Sequence, residues 1–237
     1  MQKVLSIALS EVGYTEKKSK SNLYSKTQNA GSANYTKYAE DMKRYSPGIY
    51  ANGYAWCDTF VDWCMTTAYG EEGALKLIYA WSAYTPTSAS YYKNHGRWHT
   101  QAEKGDQIFF KNQRGEICHT GLVYDVDSTY VYTVEGNTSG ESGLVANGGC
   151  VARKKYPRNS KSIAGYGRPD YALVKTEENK EEPMYNKLED CPKWAQKYIE
   201  TAMQNGFVKG DTNGNLNLDD TKIWCLVVML RIAGIMK

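Results

Sequence analysis

No apolar run in the sequence reaches the length of a membrane-spanning helix, so we expect no part of the chain to cross a bilayer. The six cysteines show no CxxC spacing and are too sparse for a disulfide scaffold, which indicates free thiols. Neither sign of charge predominates, because 29 basic residues face 26 acidic ones and leave a net charge of +3. This balance argues against nucleic acid as a partner.

Metal-binding patterns are also scarce. His95 and His99 are the only closely spaced histidines, and they lie in a polar, loop-like stretch without a glutamate, so zinc is not indicated. The segment GDTNGNLNLDD resembles a calcium loop. With Asp211 as its first position, however, Lys222 would stand where an EF-hand requires glutamate. We therefore expect neither a metal nor another cofactor.

The amino-terminal segment, residues 1–9, contains one lysine and a short apolar stretch. No small-residue cleavage site follows it, so we expect an amphipathic helix and no signal peptide. Any role outside the cytoplasm would then require another exit, such as cell lysis.

Tyrosine is abundant: the chain has 20 tyrosines against six tryptophans and four phenylalanines. A tyrosine combines an apolar ring with a hydroxyl that tolerates water, which suits a surface that binds sugars or peptides. Compositional drift on an ordinary surface would give the same pattern.

A charged segment, KTEENKEEP at 175–183, contains no apolar residue and is typical of a linker. It separates a domain at 1–174 from a small unit at 184–237. Helical patterns come first in the larger domain, at 4–12, at 35–45, and from Trp56 until Gly70 and Gly73. The stretch 80–101 has no clear pattern. Alternating segments then predict strands at 107–111, 117–126, 129–134, 151–156 and 163–166, which together indicate an α+β fold.

Cys57 lies at the predicted start of a helix, in AWCDTFVDWC. The positive end of a helix dipole stabilises a thiolate, which is the nucleophilic form of cysteine. The alternative is a buried structural cysteine on an aromatic helix face.

His119 is the candidate base. If Val126, Asp127 and Ser128 form the turn of the predicted hairpin, residue 119 lies directly opposite Glu135, and Asn137 shares the face of Glu135. Buried polar groups beside a strand histidine need a purpose, and a carboxylate or amide there would orient the imidazole. A cysteine, a histidine and an orienting polar group form the arrangement of cysteine nucleophile catalysis.

Four stretches together resemble the cysteine, histidine-dependent amidohydrolase/peptidase (CHAP) family, whose members are peptidoglycan hydrolases common in phage endolysins and bacterial autolysins. These are AWCDTFVDWC, GDQIFF, CHTGLVYDV with VEGNTS, and GYGRPDY. The opening EVGYTEK and NYTKY are similar to the endolysin-type members. The stretches cover most of residues 1–174 in the family's order.

The resemblance implies a papain-like domain in which Cys57 is the nucleophile, His119 the base, and Glu135 and Asn137 the third and fourth polar positions. The related NlpC-type endopeptidases use a second histidine as orienter, and no histidine follows His119. Some family members carry an aspartate-rich calcium site before the cysteine. Here Glu40 and Asp41 are the only acidic residues between 17 and 56, so that site is not carried over.

The tail predicts two helices, one with an apolar stripe at Trp194, Ala195, Tyr198, Ile199 and Ala202, and one with a matching stripe at Ile223, Leu226, Val227 and Leu230. Asp219 or Asp220 would cap the second helix. The pattern loosely resembles a single wall-anchoring repeat of the S-layer-homology type. So small a core favours homo-oligomers through the tail, while a purely stabilising appendage is the plainer alternative.

These observations predict a two-domain peptidoglycan hydrolase of the phage endolysin type that acts on the bacterial wall, with an N-acetylmuramoyl-L-alanine amidase favoured. The alternatives are a stem-peptide or cross-bridge endopeptidase, a wall-binding protein without turnover, and an ordinary papain-like protease. The residues expected to line the substrate groove are Tyr54, Trp56, Trp81 and Trp98, although core packing would explain some of them equally well.

Overall fold

The computed structural model describes residues 1–140, 143–145, 147–174 and 184–236. The chain divides into two compact units, Met1–Val174 and Lys175–Lys237. The linker predicted at 175–183 lies outside the described residues. No helix within the described ranges is both long enough and apolar enough to cross a membrane.

Four helices precede most of the sheet in the first unit: α1 (Gln2–Ser10), α2 (Lys37–Met42), α3 (Cys57–Ile78) and α4 (Thr85–Asn94). The first two lie where the sequence predicts them. The helical conformation of α3 is interrupted at Gly70, as the sequence predicts, because this residue adopts φ 70° and ψ 179°; a second helical segment then follows as far as Ile78. Helix α4 corrects the expectation of an irregular segment. Its buried residues are Thr85, Ser88, Ala89 and Tyr92, which are small or polar and give no apolar stripe.

The sheet has six strands: β1 (Trp98–His99), β2 (Gln107–Lys111), β3 (Ile117–Val126), β4 (Tyr130–Thr138), β5 (Cys150–Pro157) and β6 (Ile163–Gly167). Their spatial order is β1-β6-β2-β3-β4-β5, with antiparallel neighbours. Helices and an antiparallel sheet in one unit confirm the predicted α+β class.

The register of the β3–β4 hairpin differs from the predicted one. Leu122 pairs with Val134, and Val123 with Thr133, which places Glu135 beside Gly121 and not opposite His119. Two features move the register. The Asp127 carboxylate accepts the backbone N–H groups of Thr129 and Tyr130, both at 2.7 Å, so the turn lies further along the chain. A bulge between Val123 and Asp125 shifts the pairing again.

Gly136 lets β4 approach α3 closely. A Cβ atom at this position would lie 2.6 Å from Cβ of Phe60 and 2.8 Å from Cζ3 of Trp56. Both aromatic residues lie at the start of α3 and are buried in the main core. The absence of a side chain at Gly136 therefore brings the first turn of α3 against the strand that carries Glu135.

The second unit contains α5 (Lys193–Gln204) and α6 (Asp220–Ile232). Asp219 caps α6, since its side chain accepts the backbone N–H of Lys222 at 2.8 Å. The predicted stripes are largely confirmed, with one correction: Trp194 is 48% exposed and does not join the core. The buried members are Ala195, Ile199, Ala202, Ile223, Leu226, Val227 and Leu230.

Candidate active site

Cys57 is the first residue of α3 and is only 5% exposed. Trp56 precedes it as the N-cap residue and makes no side-chain capping hydrogen bond. The thiol therefore lies at the positive end of the helix dipole, which favours a negative charge there. Cys57 also lines a pocket of about 690 Å³, so a substrate can approach it despite its low exposure.

His119 on β3 is fully buried, and its Nε2 lies 3.0 Å from Oε2 of Glu135 on β4. A carboxylate can only accept a hydrogen bond, so Nε2 carries the ring proton in this pair. Nδ1 is then the nitrogen free to take up a second proton. Nδ1 is buried, and no group among the described residues lies in hydrogen-bonding geometry to it. Catalytic hydrogen bonds are often long or poorly aligned before substrate binds.

Glu135 is itself held by two hydroxyl groups. Thr133 donates to Oε1 at 2.5 Å, and Tyr156 on β5 donates to Oε2 at 3.2 Å. The carboxylate thus accepts hydrogen bonds on both oxygens and has one orientation toward His119. Sequence reasoning missed both hydroxyls. Strand alternation places Thr133 on the face of Glu135 and could have revealed it, whereas Tyr156 comes from another strand.

Gly121 explains how Glu135 reaches His119 in the observed register. A Cβ atom at residue 121 would lie 2.5 Å from Cγ of Glu135 and 2.9 Å from the Val134 carbonyl oxygen. Because glycine has no side chain, the Glu135 side chain crosses the space beside residue 121 and reaches the imidazole two residues away. The predicted contact between the two groups is therefore present, by a diagonal route in place of the predicted direct one.

The pKa of His119 is raised from 6.5 to about 9. Burial alone would lower it, since a buried imidazolium is poorly solvated, but the interactions with Cys57 and Glu135 outweigh that effect. At neutral pH the imidazole is therefore protonated beside the cysteine.

Residues 49–137 match the family model of the CHAP domain, and this range includes the cysteine, the histidine and the carboxylate just described. The chain carries a CHAP domain. No curated protein and no solved structure matches the chain. A CHAP domain has the papain-like fold and implies a hydrolase activity of the amidase or peptidase type on peptidoglycan.

Asn137, predicted as the fourth polar residue of the CHAP site, is fully buried and has φ of 56°. It lies where the β4–β5 pairing shifts between Glu135 and Thr138. Asparagine tolerates this left-handed backbone better than most residues. The bulge breaks strand alternation, so the predicted common face with Glu135 no longer follows from the register.

Two neighbouring pockets lie at the mouth of the CHAP site. The nucleophile pocket contains Cys57, and the aromatic pocket, of about 610 Å³, contains Tyr54 and Trp81. Ala55, Ala83 and Tyr84 line both pockets, so the two are continuous. Tyr54 and Tyr84 are 70% and 67% exposed, which leaves their rings available to a ligand. Tyr84 was missed because the segment around it showed no pattern.

Two predicted groove residues lie elsewhere. Trp56 is 1% exposed, stacks on Tyr38 with ring centroids 5.4 Å apart, and donates its indole N–H to Glu16 at 2.9 Å. Trp98 packs against Phe109 and covers Gly165, where a Cβ would lie 2.5 Å from its ring. These contacts correct the expectation for both tryptophans. Core packing explains them, while Tyr54 and Trp81 remain at the pocket surface.

The other cysteines of the CHAP unit have different surroundings. Burial raises the pKa of Cys64, Cys118 and Cys150, which makes each a weaker nucleophile at neutral pH. Cys118 also lines the nucleophile pocket. Within the described residues, no group of three or more His, Cys, Asp or Glu side chains is arranged to hold a metal ion.

Proposed function

We propose that the protein is an endolysin-type peptidoglycan hydrolase that cleaves the N-acetylmuramoyl-L-alanine amide, with Cys57 as nucleophile and His119 as acid and base. The observation that carries this proposal is the buried pair of His119 and Glu135, 3.0 Å apart beside the thiol at the start of α3. A polar pair buried this completely, with an imidazole that is protonated at neutral pH, is costly for a structural core unless it has a function.

The reaction proceeds in two steps. The Cys57 thiolate attacks the amide carbonyl carbon, and the imidazolium of His119 gives its Nδ1 proton to the leaving amine nitrogen as the C–N bond breaks. The acyl group is then held as a thioester. Neutral His119 removes a proton from water, and the resulting hydroxide attacks the thioester carbon. The C–S bond then breaks, the carboxylic acid product leaves, and the Cys57 thiolate and the His119 imidazolium are restored.

Glu135 orients the ring throughout and stabilises the imidazolium. Its hydrogen bonds from Thr133 and Tyr156 prevent it from turning away when His119 becomes neutral. Asn137 completes the polar set as the fourth position. The backbone N–H of Cys57, at the helix start, is placed to stabilise the negative charge that develops on the carbonyl oxygen.

The continuous pockets support a polymeric substrate. Tyr54, Trp81 and Tyr84 present aromatic surface in the aromatic pocket, and aromatic rings with polar edges suit sugar and peptide groups. Lys93 and Glu116 line the nucleophile pocket together with Cys57, where they can pair with the charged groups of a stem peptide. The reacting bond would then lie between an aromatic subsite and a charged subsite.

The carboxy-terminal unit is proposed to bind the wall. It exposes Trp194 and Trp224, whose ring centroids are 4.9 Å apart. Exposed, paired indole rings offer a flat surface to a polysaccharide. Homo-oligomers through this unit stay a second proposal, since α6 also exposes Val228, Met229 and Ile232.

The experiment that tests the reaction is digestion of defined, purified walls followed by mass spectrometry of the released fragments. An amidase frees intact stem peptides from glycan strands and leaves glycan chains without peptide. An endopeptidase of the same family would leave peptide remnants joined to the sugar, because it cuts within the stem peptide or the cross-bridge. Casein is the control substrate, and cleavage of casein without wall fragments would contradict a wall hydrolase.

Alkylation separates an enzyme from a wall-binding protein without turnover. We expect iodoacetamide to modify Cys57 at pH 7 well before Cys64 and Cys118, as read from the tryptic peptides. The rate at which the enzyme clears a turbid wall suspension should fall in proportion to the fraction of Cys57 that remains unmodified. Equal labelling of the three cysteines, or lysis that survives complete modification of Cys57, would contradict the proposal.

A further inference from the structure

A buried side-chain bridge connects the segment of the nucleophile to the segment of the base. Gln107 on β2 is 1% exposed, and its Nε2 donates to Oδ1 of Asp58 and to Oγ1 of Thr120, both at 3.1 Å. Asp58 directly follows Cys57, and Thr120 directly follows His119. One amide nitrogen therefore ties together the two chain segments whose spacing determines the distance from thiol to imidazole.

The chemistry of the neighbours admits only one orientation of this amide. Asp58 as a carboxylate can only accept, and Thr120 donates its hydroxyl hydrogen to the Ile108 carbonyl at 2.7 Å, so both need a donor from Gln107. Tyr92 donates to the amide oxygen at 3.1 Å. Both hydrogens and the oxygen of the amide are thus used, and no other uncharged side chain of this length offers two donors and an acceptor in this way.

Asp58 is further held by Ser88 on α4, which donates to Oδ2 at 2.5 Å. Four elements therefore meet at this bridge: α3, α4, β2 and β3. Every member is buried, and such a network is strong when complete and unfavourable when a partner is missing. Burial raises the pKa of Asp58 to about 7, while Ser88 and Gln107 favour its charged form. A structural role alone would be met by an apolar pair of similar volume.

We propose that Gln107, through Asp58 and Thr120, is a positioning residue that holds the Cys57 thiol at reacting distance from His119. The inference rests on the proposed roles of Cys57 and His119. None of the three bridge residues touches the reacting atoms; they act by fixing the start of α3 relative to β3. A displacement of about 1 Å at such a point can lower a rate about 100-fold.

Two variant pairs test the bridge. Thr120→Val removes the acceptor beside His119, whereas Thr120→Ser keeps it. Gln107→Met removes both donors at nearly constant volume, whereas Gln107→Glu keeps the shape but can donate only when protonated. The matched control is Tyr50→Phe, which deletes a buried hydroxyl that donates to Asp62 at 2.5 Å, one turn further along α3 and outside the Gln107 bridge.

Two measurements distinguish positioning from stability. The first is kcat and KM on soluble wall fragments. We expect Thr120→Val and Gln107→Met to lower kcat about 10- to 100-fold with little change in KM, and Thr120→Ser to stay within about threefold of the parent. The second is the pH profile of Cys57 alkylation. The rate of Cys57 alkylation at pH 7 should fall as the pair with His119 loosens.

The proposal is overturned if the bridge variants only lose thermal stability, as Tyr50→Phe should, and keep the parent's kcat and alkylation profile. Gln107→Glu adds a directional check, because its activity should recover as pH falls and the new carboxyl becomes a donor. Asp58, Asp62 and Tyr92 are titratable groups that also face this region. Because they are present in every variant, the pH profile of each variant is compared with that of the parent. If Gln107→Met fails to fold, the Thr120 pair decides alone. Full activity of Cys57→Ala would instead refute the proposed mechanism and leave the bridge a structural feature.

Discussion

The two units of the chain depart in opposite ways from the usual pattern of apolar residues inside and polar residues outside. The CHAP unit buries polar groups completely, with Asp58, Thr120, His119 and Glu135 all at 0% exposure. The carboxy-terminal unit exposes apolar groups, with Trp224 at 56% and Ile232 at 82%. Each choice is unfavourable for folding alone. The contrast indicates that the first unit is organised around internal chemistry and the second around external contact.

This contrast gives a rule for where substitutions should act. Changes to buried polar residues in the CHAP unit should alter the rate of hydrolysis on every substrate. Changes to exposed apolar residues in the second unit should alter only activity on whole walls or the association of copies. The four predictions below, the second with a companion variant at Asn137, run from the largest expected effect to the smallest.

Replacement of the nucleophile should have the largest effect. We expect Cys57→Ala to lower hydrolysis of soluble wall fragments at least about 10³-fold, since the covalent route is lost. A small residue at a helix start preserves the fold, so the melting temperature should change little. The control is Cys64→Ala, on the same helix but with a thiol that burial makes unreactive, which should keep most activity. An essential Cys64 with a dispensable Cys57 would reverse the assignment.

Glu135→Gln should rank second, with kcat/KM lowered about 10²- to 10⁴-fold; the upper figure is the loss seen when a serine-protease triad loses its orienting carboxylate. The raised pKa of His119 also determines in which direction this substitution should shift the pH dependence. His119 has a folded pKa of about 9 against an ordinary 6.5, so the stability that its charged form contributes is present below 6.5 and is lost as pH rises through about 9. Loss of the Glu135 charge removes one cause of that rise, so the alkaline limb of activity should move to lower pH.

The matched test of the fourth polar residue is Asn137→Gly, which keeps the left-handed backbone at φ 56° and removes only the side chain. We expect a smaller loss than for Glu135→Gln. Rates equal to the parent in both variants would contradict an orienting role for this pair of residues.

Deletion of residues 176–237 should have the third-largest effect, and only on intact cells. The first unit has its own core, so we expect it to fold and to cleave soluble fragments at the parent's rate. Lysis of whole cells should fall about 100-fold, because a tether raises the local concentration of enzyme at an insoluble wall. Residues 1–174 are net basic, and added salt should deepen the loss by screening attraction to an anionic wall. Equal harm in both assays would make the tail a structural support.

Gly121→Ala should have the smallest effect of the four, a loss of about 10-fold in kcat, because the new methyl group displaces Glu135 from its path to His119. A suitable control is Gly115→Ala, at a glycine with φ of 82° where a Cβ meets nothing within 4 Å, so only backbone strain is added. If both variants lose stability equally and keep their activity, the close passage of Glu135 beside residue 121 has no role in catalysis.

Much of the architecture follows from local patterns. The helix that begins at Cys57, the hairpin that carries His119, and the Asp219 cap of the last helix all depend on periodicity and capping within short segments. Helix α4 was missed because the side chains that it buries are mainly small or polar. They stabilise the helix through contacts with β2 and α3, which the local sequence does not show. The break in α3 at Gly70 is where the sequence predicts it, and only the second helical segment, which ends at Ile78, was not expected.

The residue types of the site are determined by the sequence: a cysteine at a helix start, a histidine on a strand, and a glutamate on the next strand. Their geometry was decided by the tertiary structure. The Asp127 turn and the bulge after Val123 changed the register, and Gly121 then gave Glu135 a diagonal path to the imidazole. The hydroxyls of Thr133 and Tyr156, and the Gln107 bridge, act across separate strands and helices. Such contacts depend on distances between segments far apart in the chain, and these distances arise only when the segments pack together.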